Sequence, residues 1–253
     1  SILYKNVDNA KESFINCDVL NLNRQKGVLS IDQNHGNYKN RAISCETYIL
    51  SKELFISLVK KAANTSSMYW FKDIINDECP ELDIRGISLR GFFACVSDFK
   101  SYYDANISLL DFDKAKDLFN SEWPIYTRTN DSAPTQYSNG GAVVHSMVSN
   151  GCEIEGTVRN SVLSQRCTVA EGAEVEYSIL MPGAVVERGA RVAYAILGEN
   201  VRVGENARVG ASPEAAPPEE WGITVVGPEA QVEAGRTLKA NRMLNREGKE
   251  TVR

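Results

Sequence analysis

Six cysteines, at positions 17, 45, 79, 95, 152 and 167, include no C-x-x-C pair, and no apolar run exceeds a few residues. The first absence excludes a cysteine-zinc module and a secreted disulfide scaffold. The second excludes a membrane-spanning helix. Ser1-Ile2-Leu3-Tyr4-Lys5 lacks the basic-then-apolar order of an export signal, so the thiols are expected to be reduced and the protein cytoplasmic. A formal net charge of −5 speaks against nucleic acid or an anionic membrane as the partner. Histidine is scarce, with two residues in 253, and residues 146–253 contain neither histidine nor aspartate, nor a lysine before Lys239. That stretch is short of groups that transfer protons or hold a metal.

The composition is unevenly spread. Fourteen of 18 glycines lie at or after Gly140, whereas 18 of 21 aromatic residues lie before it. The shift, with Glu122-Trp123-Pro124 and Asp131-Ser132-Ala133-Pro134 near it, predicts residues 1–111 as one domain, a linker over 112–139 and a second domain over 140–253. In the first part, 18–23 and 28–31 read as a hairpin around Arg24-Gln25-Lys26-Gly27, with Gly27 available for a positive φ. Residues 43–50 read as a strand. Ser51 reads as the cap of a helix whose apolar face is Leu54, Phe55, Leu58 and Val59. A further helix is expected over 67–78 and strands over 84–89 and 92–96. Ser97 or Asp98 opens a helix that turns Phe99, Tyr102, Tyr103, Ile107 and Leu110 inward. Mixed strands and helices predict an α/β layer.

The second part is a repeat. Leu163, Val169 and Val175, then Leu180, Val186 and Val192, then Leu197, Val203 and Val209 recur at a six-residue step inside a 17-residue period. A helix needs 3.6-residue spacing and a long strand needs alternation, so neither fits. One short strand plus one tight turn takes six residues, and three such steps close a triangular coil that buries its apolar residues only by stacking. A left-handed parallel β-helix follows, this class being the known exception to right-handed crossovers. Pro213, Pro217 and Pro218 mark a loop, after which Val226, Val232 and Leu238 form a closing coil. Glu171, Glu187 and Glu205 read as solvated turn residues, Cys152 and Cys167 as small core fillers, and His145 as a surface or first-coil residue, so this half reads as structural.

Particular motifs resemble the sugar-nucleotide pyrophosphorylases, and ADP-glucose pyrophosphorylase most. Tyr102-Tyr103-Asp104-Ala105-Asn106 is similar to Y-W-x-A-N, and residues 120–126 to the link N-x-W-P-I-x-T. Ser66-Ser67 followed by Lys72-Asp73-Ile74-Ile75 is similar to S-S-H-D-F-G-K-D-I-I-P. Val148 to Gly156 followed by Ser161-Val162-Leu163 is similar to the opening coil S-G-G-C-x-I-x-G…S-V-L. The resemblance implies the C-terminal portion of a nucleotidyltransferase-like, Rossmann-like α/β domain followed by a left-handed β-helix.

The departures bear on function. The family's glycine-rich nucleotide loop, an anion cradle of backbone N–H groups, has no counterpart, and the chain opens after its place. Ser30 to Gly36 stands where the family carries its sugar-phosphate lysine, and it has none. Counting back from Tyr102 puts Cys95 at the family's magnesium-binding aspartate, and Tyr69 and Phe71 replace Asp and Gly of the S-S-H-D-F-G-K-D motif. A branch of the family, the glycogen-biosynthesis D subunit, shows this pattern, and Glu46-Thr47-Tyr48-Ile49-Leu50 resembles it. The resemblance implies a non-catalytic, regulatory or structural subunit with no catalytic residue and no cofactor of its own; active family members use Mg²⁺. Its expected partner is the catalytic pyrophosphorylase subunit, in a hetero-oligomer that is a tetramer in the family, or a further copy of itself. Trp221 and Leu238 are the candidate interface residues, the equal alternative being that the loop at 213–221 and the closing coil form an intramolecular cap. Two other readings stay open: an active adenylyltransferase that retains Lys72 and Asp73 on the substrate side, and a hexapeptide assembly module with no enzymatic link.

Overall fold

β1 (Ile2–Val7), β2 (Asp18–Leu22), β3 (Val28–Gln33), β4 (Arg41–Tyr48) and β5 (Gly86–Ser88) form a mixed sheet in the order β3-β2-β4-β1-β5. β2 and β3 are the expected hairpin, with Leu20 opposite Ile31. Its turn is built differently from the expectation, because the positive φ falls on Lys26. Asn23 Oδ1 accepts from the N–H groups of Gln25 and Gly27, and a Cβ on Gly27 would meet Asn23 Nδ2 at 2.7 Å. The glycine lies close under the Asn23 side chain and has no positive φ.

α1 (Lys52–Thr65) is capped by Ser51 and α2 (Phe71–Asp77) follows it. Their buried residues, Leu58, Ala62, Ile74 and Ile75, pack on Ile2, Tyr4 and Leu20 of the sheet. Leu54 is partly buried there, whereas Phe55 and Val59 are exposed, so the apolar stripe of α1 runs through Leu58 and Ala62. Residues 92–96 form neither helix nor strand. The computed structural model describes residues 1–66, 71–127, 131–138, 140–215 and 217–252. Tyr69, and with it the start expected for the second helix, lies outside them.

The chain divides into compact units after Cys95. This differs from a boundary at 111/112, because α3 (Phe99–Ser108) packs on the second unit. Asp98 caps α3 in a capping box with Ser101. Tyr103 is buried among Ile179, Ile196, Ile223 and Val225, with Tyr102 and Ile107 beside it, while Phe99 is exposed. The Tyr103 hydroxyl donates to the carbonyl of Tyr177 at 2.6 Å. Tyr103→Phe is expected to destabilise the second unit by about 1 kcal/mol through the carbonyl left unpaired. Thermal denaturation measures this, and an unchanged melting temperature speaks against the contact. α4 (Phe112–Leu118) follows, with no buried residue among those described.

From residue 136 to 244 the chain winds into a parallel β-solenoid with three sheets of six strands each. The 17-residue period is the strand register: Val158 pairs with Val175, Leu163 with Leu180, and Val169 with Val186. Leu163, Val169, Val175, Leu180, Val186 and Val192 all lie in one dry column. The loop carrying Pro213 and Trp221 lengthens one turn, so that Leu197 pairs with Val226 before the repeat resumes. One further parallel strand, 242–244, not expected from the repeat, extends the column to Leu244, and the strand 250–252 folds back antiparallel on it. Gly210, at φ +74°, is needed where a Cβ would sit 2.0 Å from the carbonyl oxygen of Ala193.

Ser161 and Ser178 also face inward, fully buried, as a polar ladder in the solenoid. The Ser161 Oγ accepts from the Ser178 N–H at 3.0 Å, and the Ser178 Oγ accepts from Ala195 at 3.2 Å. Glu171, Glu187 and Glu205 sit on the outer turns, where Glu171 pairs with Arg188 and Glu187 with Arg202.

Candidate functional site

β2, β4 and α2 bring Asp18, Glu46, Tyr48, Phe71 and Lys72 around an open cleft of about 480 Å³. Asp18 is buried at the start of β2, and its Oδ1 lies 3.2 Å from Lys72 Nζ. Lys72 is half exposed, so the ion pair is worth little as stability. It does commit the ammonium to a carboxylate of the same chain, and any anion entering the cleft competes with Asp18. Asp73 is half-buried in the first turn of α2, where the helix dipole favours a carboxylate. Tyr48 meets Phe71 edge-on at 5.4 Å. Burial, with the Asp18 and Glu46 carboxylates nearby, pushes its phenol up to about 12.

Asp18 follows Cys17, whose sulfur lies 2.8 Å from that of Cys95. Burial, then the hydrogen bond with Cys95 and the surrounding negative charges, push the Cys17 thiol up to about 12. Phe14 and Phe93 stack at 5.6 Å just upstream of the two cysteines. Ser30 to Gly36 is the end of β3 and a turn held by the buried Asn34, whose Nδ2 donates to the carbonyls of Ala10 and Phe14, each at 2.8 Å.

Leu238 faces inward, and Trp221 is half-buried. Leu238 is fully buried in the solenoid column, which excludes its side chain from a surface contact. Trp221 donates its indole N–H to the Ala211 carbonyl at 2.9 Å and stands edge-on to Tyr194, so it clamps its own loop to the solenoid flank. Among the exposed apolar residues, one stretch is dense: Phe112 is 78%, Trp123 80% and Tyr126 91% exposed, and Phe119 and Ile125 are exposed with them. Sequence reasoning missed this stretch because it noted residues 120–126 only as a link motif. The signal was present in five large apolar residues within fifteen positions of a segment read as a linker.

The family described as GlmU-like, C-terminal hexapeptide, matches residues 132–227. A glucose-1-phosphate adenylyltransferase of Acetivibrio thermocellus is 31% identical over 236 residues, which is 90% of this chain and 55% of that protein. One from Corynebacterium jeikeium is 41% identical over 123 residues, 48% of this chain and 30% of that protein. The glycogen biosynthesis protein GlgD of Geobacillus stearothermophilus is 34% identical over 137 residues, 54% of this chain and 40% of that protein. This chain is a relative of the glucose-1-phosphate adenylyltransferases and of GlgD. It spans about half, or less, of the length of these relatives.

Mg²⁺ takes hard oxygen donors in octahedral array. Cys95 and Cys17 present sulfur, and the neighbouring Asp18 carboxylate is already paired with Lys72. These residues do not fit a magnesium ion.

The raised Cys17 and Tyr48 values predict alkaline sensitivity. Both groups hold their protons in the folded state to about pH 12, whereas in the unfolded chain they ionise near 9 and 10. Folded protein therefore binds more protons above pH 9, and the stabilisation, complete below that pH, is lost as pH rises towards 12. Urea denaturation of the first unit, followed from pH 7 to 12, should give a flat midpoint up to about pH 9 and a falling one beyond. A midpoint that holds steady to pH 12 contradicts the burial of these two groups.

Proposed function

We propose that the protein is a non-catalytic subunit of a glucose-1-phosphate adenylyltransferase assembly. It works in the cytoplasm, in glycogen biosynthesis, binds no cofactor of its own and acts by contact with a catalytic subunit. The observation that carries this reading is Cys95: its thiol is engaged with Cys17 and is a poor ligand for Mg²⁺. Transfer of a nucleotidyl group needs the charge of the phosphates offset by cations or positioned donors. Ser30 to Gly36 contributes no lysine to that task, and Lys72 faces Asp18.

A subunit without chemistry influences flux only through an interface. The exposed Phe112, Trp123 and Tyr126 supply apolar surface of the kind that partner proteins cover. Co-expression with the catalytic adenylyltransferase of the same cell, followed by gel filtration, tests the reading. The two are expected to elute together, with the catalytic rate or its response to metabolites altered, and Trp123→Asp with Tyr126→Asp should weaken co-elution. Separate elution, with kinetics unchanged by mixing, contradicts the subunit assignment.

A further inference from the structure

Cys17 and Cys95 are 78 positions apart in sequence, yet their sulfurs lie 2.8 Å from each other. Both sides of this contact are held by other interactions. Cys17, just before β2, donates its N–H to the Phe14 carbonyl at 3.2 Å and accepts from the Asn34 N–H at 2.9 Å. On the opposite side, Phe93 stacks on Phe14, and the Gly91 carbonyl accepts from Lys5 Nζ at 2.6 Å. Both cysteines are half-buried and within reach of a small reagent. Cys79, Cys152 and Cys167 are buried, and Cys167 lies fully enclosed in the solenoid. The half-buried Cys45 completes the set of thiols and serves as an internal reference.

We propose that Cys17 and Cys95 form a reversible disulfide when the protein meets a small-molecule disulfide of the glutathione class. The proximity of the sulfurs carries the proposal, and the raised Cys17 thiol orders the steps, since the group that keeps its proton attacks second. Cys95, having given its proton to solvent, attacks one sulfur of the oxidised reagent. The reagent's S–S bond breaks, one glutathione thiolate leaves, and Cys95 carries a mixed disulfide. Cys17 then loses its proton and attacks the Cys95 sulfur, which breaks the mixed disulfide and releases the second thiolate. Two protein thiols are oxidised, one small-molecule disulfide is reduced to two thiols, and the two protons end on the released glutathione. A dithiol reductant reverses the sequence.

The bond would tie residues 92–96, which have neither helix nor strand to hold them, to the start of β2 beside Asp18 of the cleft. Disulfide formation does not depend on the function proposed above, since it involves only the first unit.

The test treats the purified full gene product with oxidised glutathione, traps remaining thiols by alkylation and maps peptides without reductant. The expected result is a Cys17–Cys95 linked peptide that a dithiol removes, with the protein lighter by two hydrogens, Cys45 bearing at most a glutathione adduct, and Cys79, Cys152 and Cys167 alkylated only after unfolding. Cys17→Ser, or Cys17→Ala where the serine variant does not fold, should accumulate a glutathione adduct on Cys95. Overturning results are separate stable adducts on Cys17 and Cys95 of the unsubstituted protein, alkylation of both, or linkage of either to another cysteine.

Discussion

Replacing Val186 by aspartate is expected to unfold the solenoid. Val186 is fully buried and in register between Val169 and Val203, with the columns of the other two faces closing round it. An aspartate there loses the transfer energy of the valine and places a carboxylate where those apolar side chains offer no donor. Burial of an unpaired charge belongs to the most damaging class of substitution, about 4 kcal/mol or more. Whole domains hold only about 5–15 kcal/mol of stability. Each coil is stabilised by its neighbours, so a lost coil exposes the ones above and below it. Val185, one residue earlier, points away from the column and is half-buried. Val185→Asp should therefore cost about 1 kcal/mol or less. Circular dichroism during heating separates the two, and a soluble Val186→Asp protein with an unchanged melting temperature contradicts the stacked column.

The solenoid was legible in the sequence because its strand register and its sequence period are the same quantity. Val158, Val175 and Val192 are in register because they recur every 17 residues. What the apolar pattern could not convey is the buried Ser161 and Ser178 ladder, since a polar residue gives no apolar signal even when it recurs at the same period. In the first unit the β2–β3 hairpin and the Ser51 cap are local, and both were readable. The fate of residues 92–96 was not: the segment is apolar enough for a strand but is held by side-chain contacts. The division after Cys95 was not legible for a related reason. The amphipathic stripe of α3 announces that the helix packs, not that it packs on the solenoid.

The candidate site divides in the same way. Lys72 and Cys95 could be singled out by counting along motifs, but their partners could not. Asp18 is 54 positions from Lys72, and Cys17 is 78 from Cys95. Nothing in a single sequence pairs residues at such separations, and tertiary structure supplied both contacts. Those contacts set the chemistry of the residues, making Lys72 half of an ion pair and Cys95 half of a thiol pair.

The largest functional effect expected is a loss of chemistry, and it bears directly on the proposal that the protein is a non-catalytic subunit. Removing charge-stabilising groups from a transfer reaction costs orders of magnitude in rate, since a single well-placed donor is worth about a hundred- to a thousand-fold. Cys95, which the resemblance sets against the family's magnesium-binding aspartate, presents sulfur, and residues 30–36, set against its sugar-phosphate lysine, contain no lysine. The decisive measurement is ADP-glucose formation from ATP and glucose 1-phosphate by the purified full gene product alone, with Mg²⁺ present. The expected result is no turnover above a heat-killed control, while the same preparation alters the rate of the catalytic subunit once mixed with it. Steady ADP-glucose synthesis by the protein alone would contradict the proposal.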